Sequence, residues 1–539
     1  MTTLPIPPMA WDAWGDPERA VSLSESQLAL VHDALGVSAA DVDAVPREEV
    51  ELRPSRLTED DVAALAGAVG AEWVSTADAD RLPRAGGKST LDLLRRKQRG
   101  AQDAPDGVVV PGTDEEILAV LAACEESGLA VVPFGGGTSV VGGLDPECGK
   151  ARAVISLDLR RFDRLESLDE TDQEAVLGAG LSGPAAERLL AARGYELGHY
   201  PQSFLYATIG GFAATRSSGQ DSAGYGRFDE MVRGLRVVTP VGVLELGRPA
   251  PRTAAGPDLR QLFLGSEGVF GIITSVRVRV HPLPEVREYE AWSFPDFASG
   301  VAALCEVEQL GTGPTVLRLS DETETALNLA TVDEAGGDAA PAPGGCFAVT
   351  AFEGPAALVP GRHAATAAVF AAHGGTSLGD APARHWAQRR FDGPYLRDPL
   401  LAEGALVETL ETATSWSNLL ALKQAVTDVI QAKFCEYGSV SLVLCHVSHV
   451  YDTGASLYFT VVGAQKGDPL AQWRDVKAAV NDVLMAQRGT ITHHHGVGAD
   501  HRDWLPQEVG PVGVRILQAV KATLDPAGVL NPGKLIPPA

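Results

Sequence analysis

Three consecutive histidines, in Thr492-His493-His494-His495-Gly496-Val497-Gly498, are the residues of this 539-residue chain best suited to proton chemistry. Imidazole has the side-chain pKa nearest neutrality, so it can accept and return a proton at working pH. On an extended segment His493 and His495 would share one face while His494 points to the other. The triplet therefore does not by itself form one metal site, and no metal is expected. The Gly-Val-Gly that follows lets backbone approach a planar ligand. A second polar stretch, Cys445-His446-Val447-Ser448-His449-Val450-Tyr451-Asp452-Thr453-Gly454-Ala455-Ser456-Leu457-Tyr458-Phe459, adds two histidines and two tyrosines. For His446 and His449 taken singly, burial in a packed core is the simpler reading.

A different chemistry is written at Val131-Val132-Pro133-Phe134-Gly135-Gly136-Gly137-Thr138-Ser139-Val140-Val141-Gly142-Gly143. An apolar strand running into three glycines and two hydroxyls can cradle a phosphate, because glycines permit positive φ and leave backbone N–H groups uncovered. A Rossmann fingerprint would need a glycine where Val140 stands, and a P-loop would end in Gly-Lys-Ser/Thr. Gly87-Lys88-Ser89-Thr90 has that ending, but Leu82 stands in place of the leading glycine and no strand precedes it, so it is read as accidental.

The elements that position these groups follow from periodicity. Gly107-Val108-Val109-Val110 is a short strand, Thr113-Asp114-Glu115-Glu116 a capping box, and the apolar residues after it recur at helical spacing until Gly128. The unit is strand, helix, strand, glycine loop. Strands are expected at 153–157 and 175–180, a helix from Ser182-Gly183-Pro184 to Gly194, a hairpin over 235–246 and a strand at 274–280.

The length calls for two or three domains. The divisions expected are a mainly helical segment 1–100, a domain 101–285, a second domain 286–505 of mixed strands and helices, and a C-terminal return 506–539. A composition of 45% hydrophobic and 21% charged residues describes a soluble globular protein. The formal charge of -26 excludes nucleic acid as a partner and allows at most peripheral membrane contact. Six cysteines with no CxxC spacing are expected to be reduced, and no leader or long apolar stretch is seen, so the expected location is cytoplasmic. The basic Leu93-Leu94-Arg95-Arg96-Lys97-Gln98-Arg99-Gly100 is read as a solvated helix face, with bracing against the acidic remainder as the alternative. The Ala/Gly/Pro-rich stretch 334–345 is expected to be a solvated loop or disordered.

Four segments together resemble a known family. Pro133-Phe134-Gly135-Gly136-Gly137-Thr138-Ser139, Gln202-Ser203-Phe204-Leu205-Tyr206-Ala207-Thr208, Thr215-Arg216-Ser217-Ser218 and Gly265-Ser266-Glu267-Gly268-Val269-Phe270-Gly271 stand in the order and at about the spacing of the FAD-binding elements of vanillyl-alcohol oxidase type flavoproteins. The resemblance covers roughly residues 90–537. It implies an α+β protein: an FAD-binding domain of two subdomains with FAD between them, and an α+β cap domain that supplies the substrate pocket. The four segments and His199 would hold the FAD. No histidine lies in the Pro133 to Gly143 loop, so the FAD is expected to be non-covalent.

Two neighbouring families are separated by the polar stretches. Flavin dehydrogenases of D-2-hydroxy acids carry a Glu-His-Gly-Ile-Gly type segment and a His-x-Gly-Asp-Gly-Asn-x-His segment; here His494 takes the Glu position and Tyr458 the second histidine position. Both changes resemble the alkyldihydroxyacetone-phosphate synthases of ether-lipid synthesis, as do Tyr451-Asp452-x-Gly454-Ala455-x-x-Tyr458, Val316-Leu317-Arg318-Leu319 and Tyr395-Leu396-Arg397-Asp398. That resemblance implies a redox-neutral exchange in which flavin N5 captures the dihydroxyacetone-phosphate carbon as a fatty acid leaves and a fatty alcohol replaces it. Tyr458, His493, His494 and His495 would be the acid/base groups, and Arg318 and Arg397 would hold the phosphate head group of a small lipid substrate. A homodimer is also expected. Gln202 stands where eukaryotic synthases have an acid, and Ala499-Asp500-His501 replaces a basic run, which leaves the head group open. The alternative is an FAD-dependent dehydrogenase or oxidase of a D-2-hydroxy acid or related alcohol, and a flavin-free binding scaffold is the third reading.

Overall fold

In the computed structural model, which describes residues 7–37, 47–97, 100–331 and 344–538, the strand-helix-strand unit forms as its periodicity predicts. Strands β1 (Val74–Ser75), β2 (Gly107–Val109), β3 (Leu129–Phe134) and β4 (Ala153–Asp158) make a sheet in the order β1-β2-β4-β3. The last three are parallel and β1 is antiparallel, so residues before 100 contribute to this sheet. The helix Asp114–Ser127 crosses from β2 to β3, buries Ile117, Val120, Leu121 and Cys124, and stops at Gly128 with φ 63°. Its cap departs from the reciprocal box. Thr113 Oγ1 accepts from Glu116 N–H, but the Glu116 carboxylate takes Gly112 N–H and the Arg161 guanidinium instead.

Next come β5 (Leu165–Asp169), β6 (Glu174–Gly178), the short β7 (Tyr195–Glu196), β8 (Val232–Thr239), β9 (Gly242–Leu246), β10 (Ile272–Arg279) and the short β11 (His281–Pro282). A five-stranded antiparallel sheet, β5-β6-β10-β8-β9, results, and β7 pairs with β11. The chain returns at its C-terminus. After the helix Leu505–Leu524, Leu530 bridges Val131 in parallel, and Asn531 Nδ2 donates to Gly143 O and Glu267 O.

A second, larger sheet comprises β12 (Val286–Phe294), β13 (Val316–Ser320), β14 (Cys346–Gly354), β15 (Thr376–Gly379), β16 (Ala405–Ser415), β17 (Ser441–Val447), β18 (Val450–Tyr451) and β19 (Gly454–Ala464). Its order is β15-β12-β14-β13-β17-β19-β16, with β18 on β19. Period-two alternation gives this sheet two different faces. Leu317, Leu319, Cys445, Val447, Leu457, Phe459 and Val461 pack under the helices Phe297–Leu310, Leu419–Glu436 and Pro469–Ala486, each buried Leu or Phe contributing about 1.5–3 kcal/mol. The alternate residues Arg318, Ser320, His446, Tyr458 and Thr460 face the other way, into a cavity.

The basic segment after residue 90 is not a solvated face. The helix Thr90–Lys97 buries Leu91, Leu93, Leu94 and Arg96; Arg95 pairs with Asp92 and Asp145, and Arg96 lies over the Trp11 ring. The acidic remainder is what it braces. Just before it, Lys88 spends its amine on Ala10 O, Trp11 O and Ala13 O, and its N–H on Ser139 O. The P-loop likeness thus ends as a strap anchor against the glycine loop. Residues 334–343 lie outside the described residues.

Candidate active site

The polar face of the large sheet and the glycine loop enclose a cavity of about 1280 Å³, above the roughly 300–1,000 Å³ of an ordinary small-molecule pocket. Register brings its polar groups into line. Ser320 pairs with His446, His446 with Tyr458, and Tyr458 with Glu411, so four strands each place one polar side chain in a row on the same face. Tyr458 stacks on His446 with centroids 4.9 Å apart and touches the rings of His494 and His495 at 6.0 and 5.7 Å. Burial pushes its hydroxyl up to about 12, so it is a proton donor at neutral pH.

The triple histidine is not extended. Residues 492–495 curl around the buried carboxylate of Glu411, which accepts N–H from His493 (2.6 Å), His494 (3.2 Å) and His495 (3.0 Å) and the hydroxyl of Thr492 (2.5 Å). The argument from alternating faces therefore fails. Burial alone would raise the Glu411 pKa, but the carboxyl is held well below its usual range, and with neutral imidazoles around it the groups that keep it ionised are the three backbone N–H donors and the Thr492 hydroxyl. Farther along, Glu267 accepts Val497 N–H (2.5 Å) and Gly498 N–H (2.7 Å), and its burial pushes it up to about 7. One acid from each domain thus holds the turn. His494 and His495 reach the cavity, with 14% of each side chain exposed there, whereas His493 lies behind them with Nδ1 3.0 Å from His494 Nδ1. One ring nitrogen from each of His449, His493 and His494 lies within 4.8 Å of the others, a spacing also open to a metal ion.

Burial lowers all of these imidazoles below their ordinary value, His495 to about 3, so they are neutral bases rather than groups titrating near pH 7. Of the two arginines, Arg318 is committed: its Nη2 lies 2.6 Å from Glu324 Oε1, whose other oxygen meets His446 Nδ1 at 2.9 Å. Arg397 is not. It gives Nη1 to Lys88 O (2.7 Å) and stands 3.6 Å from Asp398, while its buried Nε and Nη2 have no hydrogen-bond partner.

All seven residues Pro133 to Ser139 line the cavity, as do Gln202, Ser203, Ala207, Thr208, Thr215, Ser217, Ser218, Glu267, Gly268 and Gly271. The rest of those segments does not. Phe204, Leu205 and Tyr206 pack beneath, with the Tyr206 hydroxyl on Tyr395 and on Asp16 N–H; Arg216 turns away to Asp229; Gly265, Ser266, Val269 and Phe270 form the turn's support. His199 is a packing residue, fully buried between Phe212 and Phe228, and it touches the lining only from behind, through the Phe212 ring and through Nε2 to Ser217 Oγ (3.1 Å). Glu411 and Glu324 were missed. Acids in the otherwise apolar Ala405-Leu406-Val407-Glu408-Thr409-Leu410-Glu411 were the available signal for the first.

Residues 105–247 match the family model described as FAD binding domain, and residues 283–535 that of FAD linked oxidases, C-terminal domain. Alkyldihydroxyacetonephosphate synthase of Trypanosoma brucei brucei is 35% identical over 85% of this chain and 77% of its own length. The chain belongs to the alkyldihydroxyacetonephosphate synthase family. A solved structure of an alkyldihydroxyacetonephosphate synthase superposes with TM-score 0.82 at 28% identity, covering 97% of this chain and 98% of the other. The 4-ethylphenol oxidase of Gulosibacter chungangensis, at TM-score 0.70, 14% identity and coverage of 90% and 98%, shares the vanillyl-alcohol oxidase type fold.

Like its relatives, the chain is an FAD-dependent enzyme, and its residues fit the cofactor. Buried Gln202 Nε2 and Gln220 Oε1 have no partner among the described residues and both belong to residues of the cavity lining, as expected of groups that meet a polar ligand. Gly137 takes φ 71°, which bends the loop. Gly136 has a different reason to be glycine: a Cβ there would strike Tyr206 O and Ala207 Cα, not the ligand space. The Ala499-Asp500-His501 departure also lies off the cavity, where Asp500 pairs with Lys477 and His501 with Gly496 O.

Proposed function

We propose that the protein exchanges the acyl chain of acyl-dihydroxyacetone phosphate for a fatty alcohol, with no net electron transfer and with FAD held non-covalently. The observation that carries this reading is Arg397, a residue of the cavity wall whose Nη2 has no partner among the described residues and whose Nε has only the 3.6 Å ion pair with Asp398, in a wall that apolar Leu378, Trp386, Leu396 and Leu400 also line. A phosphate suits the planar donors, and a long alkyl chain suits the apolar wall. When bound, FAD supplies a nucleophilic ring nitrogen that is returned unchanged at the end of each turnover.

The protein's own groups divide the remaining work. Arg397 binds and orients the head group. His494, neutral and facing the cavity, takes the proton of the incoming alcohol, while Tyr458, stacked between His446 and His494, hydrogen-bonds the departing carboxyl oxygen and keeps its own proton, so that the fatty acid leaves as carboxylate. Glu411 fixes the histidine backbone. Absence of a histidine from the Pro133 to Gly143 loop supports non-covalent binding.

The test is an electron count. Under strict exclusion of oxygen and dye acceptors, acyl-dihydroxyacetone phosphate and a long-chain alcohol are expected to give ether, with one fatty acid released per ether. If a D-2-hydroxy acid instead bleaches the flavin and reduces a dye while no ether forms, the dehydrogenase reading replaces this one.

A further inference from the structure

A second cavity of about 350 Å³ is lined by Ser222, Glu230, Arg233, Arg279, Glu308, Val450, Tyr451 and Asp452, among others. Histidines separate it from the first. His494, which lines the large cavity, has Nδ1 3.0 Å from His493 Nδ1, and His493 Nε2 lies 2.6 Å from the Tyr451 hydroxyl, on a residue that lines the small one. A parallel thread uses other residues: His449 lines the large cavity, its Nδ1 lies 2.8 Å from Ser222 Oγ, and Ser222 lines the small cavity. The His449 and His493 rings stack at 5.2 Å, so the two threads run side by side.

On the reading given under Proposed function, one proton must leave per turnover, because an alcohol and an ester enter while an ether and a carboxylate come out. We infer that the second cavity is the proton outlet of the active site and that Tyr451 is the relay residue at its inner end. The balance closes without any further reactant. The alcohol O–H bond breaks as its oxygen bonds to carbon; His494 takes the proton on one ring nitrogen and yields one from Nδ1 to His493 Nδ1. His493 then yields its Nε2 proton to the Tyr451 oxygen, and Tyr451, whose hydroxyl also lies beside Arg227 and Ser218, rotates to pass its own proton to water in the small cavity. No ring holds a net charge for long, which suits neutral, buried imidazoles. Arg227, which lies against this cluster, disfavours a resident positive charge on His493 and His449 and so favours passage over storage.

The outer end is equipped to receive the proton. Glu308 faces the cavity beside Asp452, and burial followed by the repulsion of Asp452 pushes Glu308 up to about 7. A carboxylate with that affinity exchanges readily with neutral buffer. Glu230 adds negative charge, and Arg233 and Arg279 supply the positive groups of the same wall.

Holoenzyme variants test the outlet in the anaerobic ether assay. Tyr451→Phe is expected to keep its flavin and KM, to lose kcat by about 10²-fold, and to show a larger solvent deuterium isotope effect than wild type. Glu308→Gln, at the mouth and away from the rings, is expected to lose rate several-fold in dilute buffer and to regain it in concentrated buffer. Wild-type kcat in Tyr451→Phe, or a Glu308→Gln rate that does not respond to buffer, would overturn the outlet. A wild-type protein that makes no ether sinks the synthase reading itself, whereas ether made equally by all three proteins sinks only the relay.

Discussion

Glu411 on β16 stands directly across from Tyr458 on β19, and the same Glu411 carboxylate accepts the N–H of His493 at 2.6 Å. One strand register therefore places the phenol and the imidazoles in a single site. If the Tyr458 hydroxyl holds the departing carboxyl oxygen by a hydrogen bond, Tyr458→Phe keeps the ring that stacks on His446 and removes only that donor. Flavin content is expected to be unchanged and ether formation to fall by at least about 10²-fold. Equal kcat in the variant would reduce Tyr458 to a wall residue.

Gly136→Val is expected to yield colourless protein, because any Cβ at 136 strikes the Tyr206 and Ala207 backbone and forces apart two segments that line the cavity. Absorbance of the purified variant and of its acid supernatant measures this. A yellow variant of normal flavin content would show that the loop can separate from Tyr206 at no cost to binding.

The two arginines should behave differently. Arg397→Ala is expected to weaken a phosphorylated substrate by about 2–5 kcal/mol with flavin retained, the range for removing one partner of a buried charged pair. Arg318→Ala removes a guanidinium that holds down the proton affinity of His446, so the His446 pKa should rise while KM for the phosphorylated substrate changes little. Titration of His446 by NMR and the two KM values separate these outcomes; identical KM losses would mean that both arginines bind phosphate.

Buried neutral histidines set the acid stability. Burial holds His199, His495 and His501 near 3, below the roughly 6.5 of an unfolded chain. For these histidines the unfolded chain binds more protons than the native state below about pH 6.5, so their contribution falls as pH drops from there toward 3; Glu267 and Glu308, raised to about 7, act in the opposite sense, and the buried histidines outnumber them. The urea midpoint should decline steadily between pH 6.5 and 5. The kcat profile, by contrast, should show no limb from these imidazoles near 6.5, because the neutral base persists below it. A limb at 6.5 that vanishes in His494→Gln would mean that His494 is solvated in the working enzyme.

Removing metal is expected to do nothing. Dialysis against a strong chelator should leave the anaerobic rate intact, since the relay needs only imidazole nitrogens. Activity lost on chelation and regained with zinc would make the His449, His493 and His494 nitrogens a metal centre instead.

Local signals carried much of the architecture into view. The run from β2 through the helix Asp114–Ser127 to β3 and the glycine loop is fixed by caps, period and glycines that act within a dozen residues of one another. The flavin segments were legible as segments but not residue by residue. Which of Phe204, Tyr206, Thr208 or Ser217 faces the ligand depends on packing between distant loops. The site's two organising acids were hidden for the same reason: Glu411 meets the histidine turn 82 residues away, and Glu324 meets His446 across 122. His493 to His495 were visible as chemistry, but their conformation was not, because the turn is imposed by Glu411 rather than by the turn's own sequence.

Glu411 belongs to the large sheet and Glu267 to the opposite domain, yet both grip the short segment from His493 to Gly498. That segment is in effect a rivet through two plates. Parting the plates would pull the rivet out and dismantle the imidazole array. If the proposed lipid is the substrate, it enters with the plates in place, past Leu378, Trp386, Leu396 and Leu400, and the enzyme should sort its substrates by the girth of their chains rather than by the energy of a closing motion.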